Sequence, residues 1–295
     1  MIAFFANIFG YILNFIYELV KNYGFAIIIF SVLIKILMLP ISIKQQKTMK
    51  KSAKVQAKMK EIQLKYKNNP EKLNEATMEL YKTENMSPFS GCFSAIAQIV
   101  LLFAVFYLVR SPLTYMKKID TNIIDKYSNI VKQNEITTNS AYPEIEIVRE
   151  LDNIKNLQAN TENEIKEEEL NLINIDMDFF GLNLAQVPTK SSDWKAYIIP
   201  VLYVLISVIS MRMTNQTVAK KEPIENKDEK ALTKTEEEFD PMAQMNKNMS
   251  LTFPIMYLAV ALIAPLGLAL YWLMNSLLMI VERILLNKLL KEEEE

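Results

Sequence analysis

Lys35 is the residue whose position most needs a chemical explanation. It stands midway along FAIIIFSVLIKILMLPISI (25–43), a run that carries no other charge. An ionisable group at the centre of a membrane span costs about 2.5–3.5 kcal/mol on insertion scales, so such groups normally face water or a partner. The next lysine, Lys44, is nine residues on. That is about 13 Å along a helix axis, too far for the stem to snorkel comfortably. No acidic residue lies within another apolar run to pair with it. Glu282, the nearest candidate, falls towards the end of the last one. A water-filled pocket around the ammonium is therefore expected. Its chemistry is electrostatic, the attraction of an anion into the lipid layer.

Other chemistries are excluded by composition. The 295 residues contain no histidine, so His–zinc sites and Ser-His or Cys-His nucleophiles cannot be built. The single cysteine, Cys92, precludes an intramolecular disulfide. Five scattered glycines leave no phosphate-cradling loop. A net charge of −1 gives no case for sequence-specific nucleic-acid binding. No metal, cofactor or catalytic group is expected, and the chain does not read as an enzyme.

Polar stripes on other apolar runs match the lone lysine. Ser31, Lys35 and Ser42 share a helix face, as do Gly91, Ser94 and Gln98. Tyr203, Ser207, Ser210 and Thr214 form a third stripe, and Trp272, Asn275, Met279 and Glu282 a fourth. Each stripe alone is explained by close helix packing through small and hydroxyl residues. Beside an unpaired lysine, a shared hydrophilic groove becomes the better account. Trp272 fits either that groove or an interfacial aromatic belt.

These residues need helices to position them. The charge sits in blocks separated by long apolar runs, the pattern of a membrane protein with polar loops. Spans are expected at 25–43, 89–110, 196–213, 250–264 and 266–288. The last two divide a 31-residue uncharged run (251–281) at Pro265 and Gly267. As one helix of about 46 Å, that run would overshoot a hydrocarbon core of about 30 Å. The expected fold is an all-α polytopic bundle of five transmembrane helices. Residues 1–22 add an amphipathic helix with Asn7, Tyr11, Asn14, Glu18 and Lys21 on one stripe. That favours an interfacial placement over a sixth span or an uncleaved signal.

Orientation follows from lysine asymmetry. Residues 44–63 carry seven lysines, and 5–24 carry one. The positive-inside rule puts 44–85 and the C-terminus in the cytoplasm and the N-terminus outside. Segment 44–85 reads as a helical hairpin broken at Asn68-Asn69-Pro70. Asn69 is its expected cap, and Met59, Ile62 and Tyr66 face Leu73, Thr77, Leu80 and Tyr81. Its lysines, among them Lys47, Lys50, Lys51, Lys54 and Lys58, either fix topology or dock anionic headgroups or a partner. Segment 111–195 holds nine basic and fifteen acidic residues and reads as an acidic extracytoplasmic loop, partly helical or disordered. Residues 214–248 read as a cytoplasmic linker and 289–295 as an acidic cytoplasmic tail.

The run IKILMLPISIKQQKTMKK (34–51), the hairpin with its KYKNNPEKLNEATMELYK, the Gly91-Cys92 pair followed by Gln98, and PLGLALYW (265–272) occur in that order. Together they resemble the YidC/Oxa/Alb membrane-protein insertases, over about 25–110 and 178–288. The absence of a large folded domain before the first span is similar to the Gram-positive type. The resemblance implies five spans around a groove open to cytoplasm and lipid, with the mid-membrane cation contacting incoming substrate. It carries over to Lys35, Gln98 and Trp272. The family usually has arginine where Lys35 stands. A lysine keeps the charge but loses the planar fork. The family's Asn-Pro before Gly-Cys is Ser87-Pro88 here, its following Pro is Ser94, and its third-span glutamine is Ser210.

The function expected is a non-catalytic insertase and chaperone in the bacterial cell membrane. Its partners would be nascent membrane proteins and lipids, with the Sec translocon and the ribosome or signal-recognition machinery as further candidates. A transporter or channel using Lys35 as a substrate or proton site is the alternative. Inverted repeats with paired broken helices would favour that, and none is seen.

Overall fold

The computed structural model describes residues 2–66, 69–84, 90–133, 141–157, 165–219 and 254–292. They are almost wholly helical. The helices are α1 (Ile2–Val20), α2 (Tyr23–Lys65), α3 (Pro70–Thr83), α4 (Ser90–Arg110), α5 (Pro112–Tyr115), α6 (Thr121–Gln133), α7 (Pro143–Arg149), α8 (Leu151–Leu157), α9 (Glu167–Ile173) and α10 (Ile198–Ala219). A short helix α11 (Pro254–Ile263) and the long α12 (Leu266–Glu292) complete the set. The described residues hold one β-hairpin, β1 (Asp178–Phe179) paired antiparallel with β2 (Leu182–Asn183). The chain divides into two compact units, Met1–Leu33 with Ala104–Val281, and Ile34–Phe103 with Glu282–Glu295.

Among the described residues, four helical stretches are long and apolar enough to cross a membrane: Ile2–Val20, Tyr23–Thr48, Trp194–Met213 and Leu266–Leu289. Three of them cover the expected spans at 25–43, 196–213 and 266–288. The expected spans at 89–110 and 250–264 appear as shorter apolar helices, Ile99–Arg110 and Pro254–Ile263, with part of each outside the described residues. These lengths do not confirm a count of five, and α1 joins the long apolar helices. Residues 220–250, most of the expected linker, lie outside the described residues.

The break at Pro265 is observed. α11 ends at Ile263 and α12 begins at Leu266. The opening N–H groups of a helix have no intrahelical acceptor. Here the Leu266 and Gly267 N–H groups donate to the Gln186 and Leu184 carbonyls, each at 2.8 Å. The segment after the β-hairpin thus caps α12.

Segment 111–195 has its own core, where partial disorder was one of the expected states. On α6, Ile124, Tyr127 and Val131 are buried at helical spacing. Ile145, Ile147 and Val148 of α7, Leu151 and Ile154 of α8, and Leu170 and Ile173 of α9 are buried as well. Fifteen acids and many asparagines mask this spacing in an average over the segment. Glu144 is buried at the start of α7, where its carboxylate accepts from the Thr114 backbone N–H (2.9 Å) and hydroxyl (2.7 Å). Burial pushes the Glu144 carboxyl up despite those bonds.

The polar stripe of α1 has protein partners. Lys118 Nζ donates to Asn7 Oδ1 at 2.5 Å and lies 4.4 Å from the centre of the Tyr11 ring. Lys117 pairs with Glu18 at 2.8 Å and sits 4.5 Å from the Tyr17 ring. Tyr17 Oη in turn accepts from the Asp176 N–H at 2.9 Å. The stripe that suggested a headgroup-facing helix is met along much of its length by two lysines that follow α5.

Candidate functional site

α2 is one continuous helix of 43 residues, so Lys35 lies in the same element as the first hairpin arm. Pro40 within it removes one backbone donor. Interruptions of this kind are tolerated in membrane helices when neighbours re-satisfy the freed carbonyl. Leu, Ile and Met around Lys35 give the helix its apolar character, and Ile36 and Leu37 beside it are exposed.

The second compact unit gives Lys35 a partner. Its Nζ lies 2.7 Å from Glu282 Oε2, and the two side chains are 19% and 11% exposed. This corrects the expectation of an unpaired cation. α12 continues without a break to Glu292, so Glu282 is an internal residue of a long helix rather than a terminal one. One carboxylate oxygen meets the ammonium. The other, Oε1, is buried and accepts no hydrogen bond among the described residues. Five residues further along α12, Asn287 Oδ1 accepts from Gln46 Nε2 at 2.8 Å, a second polar tie between α2 and α12.

A buried ion pair of this kind is held at a cost. Each ion loses several kcal/mol of hydration, which the mutual attraction repays only with good geometry and full hydrogen bonding. With Oε1 unmatched, the pair is under-satisfied. It keeps a charge in the apolar region without anchoring the two helices strongly.

The other expected groove residues are distributed as follows. Ser31 is buried, and its hydroxyl donates to the Ile27 carbonyl one turn back at 2.7 Å. Ser207 and Ser210 are buried in the first unit on the face of α10 that meets α12. Ser207 Oγ is 3.3 Å from Ser276 Oγ, and the Ser210 hydroxyl points at Met279 Sδ at 3.6 Å. Trp272 stacks at a tilt on Tyr203, ring centres 5.9 Å apart, and Tyr203 also meets Tyr257 of α11 at 6.0 Å. The structure thus brings Ser207, Ser210 and Trp272 to one helix–helix seam. Asn275 is half-buried on α12. Ser94 and Gln98 lie on α4, with side chains outside the described residues.

In the hairpin, Asn69 Oδ1 accepts from the Lys72 N–H at 3.1 Å and Pro70 opens α3, the cap expected from Asn-Pro. Thr77 donates to Met59 Sδ at 3.5 Å across the expected seam. Lys58 pairs with Glu84 at 2.6 Å, so this lysine is engaged within the hairpin. Lys47 is exposed, and the side chains of Lys50, Lys51 and Lys54 lie outside the described residues. Sequence reasoning missed Gln46, Ser276 and Asn287. Ser276 and Asn287 stand out only as polar residues within apolar runs, and Gln46 is hidden among the polar residues of 44–51.

Long apolar helices, a charge paired within them and a lysine-rich helical hairpin define a multi-pass α-helical membrane protein. Among the described residues no cluster of His, Cys, Asp and Glu is arranged to hold a metal. A family profile described as 60Kd inner membrane protein matches residues 15–294, and the chain belongs to that family. The chain is 26% identical over 279 residues to "Membrane protein insertase YidC" of Fusobacterium nucleatum, an alignment covering 95% of this chain and 93% of that one. It is 41% identical over 102 residues to the protein of the same name from Caldanaerobacter subterraneus (35% of this chain, 50% of that one). A 45% identity over 102 residues with the Chlorobaculum parvum protein of that name covers 35% of this chain and 17% of the other. All three are bacterial, in keeping with a multi-pass bacterial membrane protein.

Proposed function

We propose that this chain is a membrane-protein insertase, in which Lys35 draws the acidic translocated end of a nascent segment into the apolar layer. The observation that carries the reading is a cation held midway along an apolar helix with a single carboxylate oxygen as its partner. Family membership and the names of the relatives support the reaction class.

The physical task is to lower the cost of moving a charged or polar end through hydrocarbon. Without help, that cost runs to several kcal/mol per ion. A fixed ammonium in a poorly screened region attracts an arriving carboxylate more strongly than it would in bulk water, which offsets part of that cost. Ser94 and Gln98 are proposed to hydrate the path. The apolar part of the substrate then partitions into lipid, and hydrophobic transfer drives the process without nucleotide hydrolysis. The lysine-rich hairpin, with Lys47, Lys50, Lys51 and Lys54, is proposed to face the cytoplasm and meet anionic lipid or the arriving chain.

The test is complementation of an insertase-depleted bacterium. Lys35→Arg should support growth and insertion, while Lys35→Ala and Lys35→Glu should fail on substrates with acidic translocated ends. Normal insertion by Lys35→Glu at native expression would overturn the reading.

A further inference from the structure

We infer that Glu282 is an internal competitor for Lys35, a resident carboxylate that a substrate's aspartate or glutamate must displace, and so sets which segments are accepted. This deepens the proposed insertase reading and rests on it.

Three observations converge. Glu282 Oε2 is 2.7 Å from Lys35 Nζ, so it occupies the position an incoming carboxylate would need. Its second oxygen is buried with no hydrogen-bond partner among the described residues, so the resident anion is held through one oxygen only. The helix pair is tied independently by Gln46 and Asn287 at 2.8 Å, so α2 and α12 retain a link when the ion pair opens. A substrate carboxylate then replaces like with like. The ammonium stays neutralised throughout, while the displaced Glu282 carboxylate gives up its partner, a cost that the substrate carboxylate must meet. A neutral tail offers nothing in exchange and leaves the pair closed. The device therefore favours acidic tails over neutral ones by a difference between two carboxylates, not by the full attraction of a naked cation.

The experiment uses the full-length protein in phosphatidylethanolamine–phosphatidylglycerol proteoliposomes. The substrates are single-span segments whose translocated tail carries one aspartate or its asparagine twin, and the readout is the initial rate of tail protection from protease. The ratio of the two rates measures the preference. Glu282→Gln should raise that ratio roughly tenfold, the factor that corresponds to one charge-assisted hydrogen bond released from competition. The exchange Lys35→Glu with Glu282→Lys keeps a pair of the same size and should invert the preference, so that a lysine tail is favoured over an aspartate tail. It also guards against a Glu282→Gln variant that does not fold. An unchanged ratio in Glu282→Gln, with the ratio abolished in Lys35→Ala, would reject the competitor role and leave the insertase reading standing. A ratio that Lys35→Ala does not alter would reject both. An exchanged pair that still prefers aspartate would reject the competitor role.

Discussion

Gly10 of α1 packs directly against the backbone of Tyr115 in α5, where a Cβ on residue 10 would stand 1.8 Å from the Tyr115 carbonyl oxygen. A rigid backbone cannot swing aside as a side-chain tip can. Gly10→Ala should therefore push α1 off α5, at a cost near the upper end of the usual overpacking range of about 1–3 kcal/mol. The expected result is a lower thermal midpoint in detergent and faster proteolysis after Lys117 or Lys118. A variant as stable as the native protein would show that α1 is not docked on α5.

Two buried or paired carboxylates of segment 111–195 should give opposite pH dependences. Burial raises Glu144 above the ordinary value of 4.5. Its contribution to stability is thus complete below 4.5 and declines as pH climbs through the raised value. The hydrogen-bonded Lys126 ammonium lowers Glu169, so its contribution is present above 4.5 and fades on acidification through the depressed value. Glu144→Gln should flatten the decline of melting temperature from about 4.5 towards neutrality, and Glu169→Gln should flatten the fall at lower pH. Curves that stay parallel to the native one would contradict both assignments.

Phe180 and Gly181 both have positive φ (53° and 75°) at the turn between β1 and β2. A two-residue turn of this kind suits Asn-Gly, and a bulky residue in the left-handed region costs about 1–2 kcal/mol. Phe180 is 81% exposed, and its ring gains only edge contacts with Phe25 and Phe179, at 5.7 and 4.7 Å between centres. Backbone relief should exceed the lost ring contacts. Phe180→Asn is therefore expected to raise the melting temperature by a few degrees, and a fall would mean that the ring contacts outweigh the strain.

In the hairpin, Asn69→Ala removes the acceptor for the Lys72 N–H while Pro70 still opens α3. The expected loss is about 1 kcal/mol, typical of an N-cap. Hydrogen exchange at the first turn of α3 should accelerate, while exchange in α12 should not change.

Much of this could be read from local chemistry. Asn69-Pro70 announced a helix start and Pro265 a break because capping and ring geometry act within a few residues. Ser207 and Ser210 were visible as one stripe and Met279 as part of another, although Ser276 and the pairing of the stripes were not. Glu282 is the nearest candidate partner for Lys35 in the sequence, yet the pairing itself is not legible there, because a contact across 247 positions leaves no spacing to detect. Two apolar helices must be set in register before a lysine and a glutamate can be seen to meet. The core around Ile124, Tyr127 and Ile173 was hidden differently, since the acidic and asparagine-rich average of the segment outweighed a clear three-and-four-residue period on α6. On α1 the polar stripe itself was correct, while the lysines that meet it lie about a hundred residues away.

The two carbonyls that receive the first amides of α12 come from Leu184 and Gln186. Excising the preceding segment so as to sever those acceptors would strand peptide donors where an apolar helix begins, with little water to replace them. Each stranded group would cost several kcal/mol in lipid. A trimmed version of the chain must therefore keep residues 182–187, or supply a substitute lid for that helix, before its last span can hold its place.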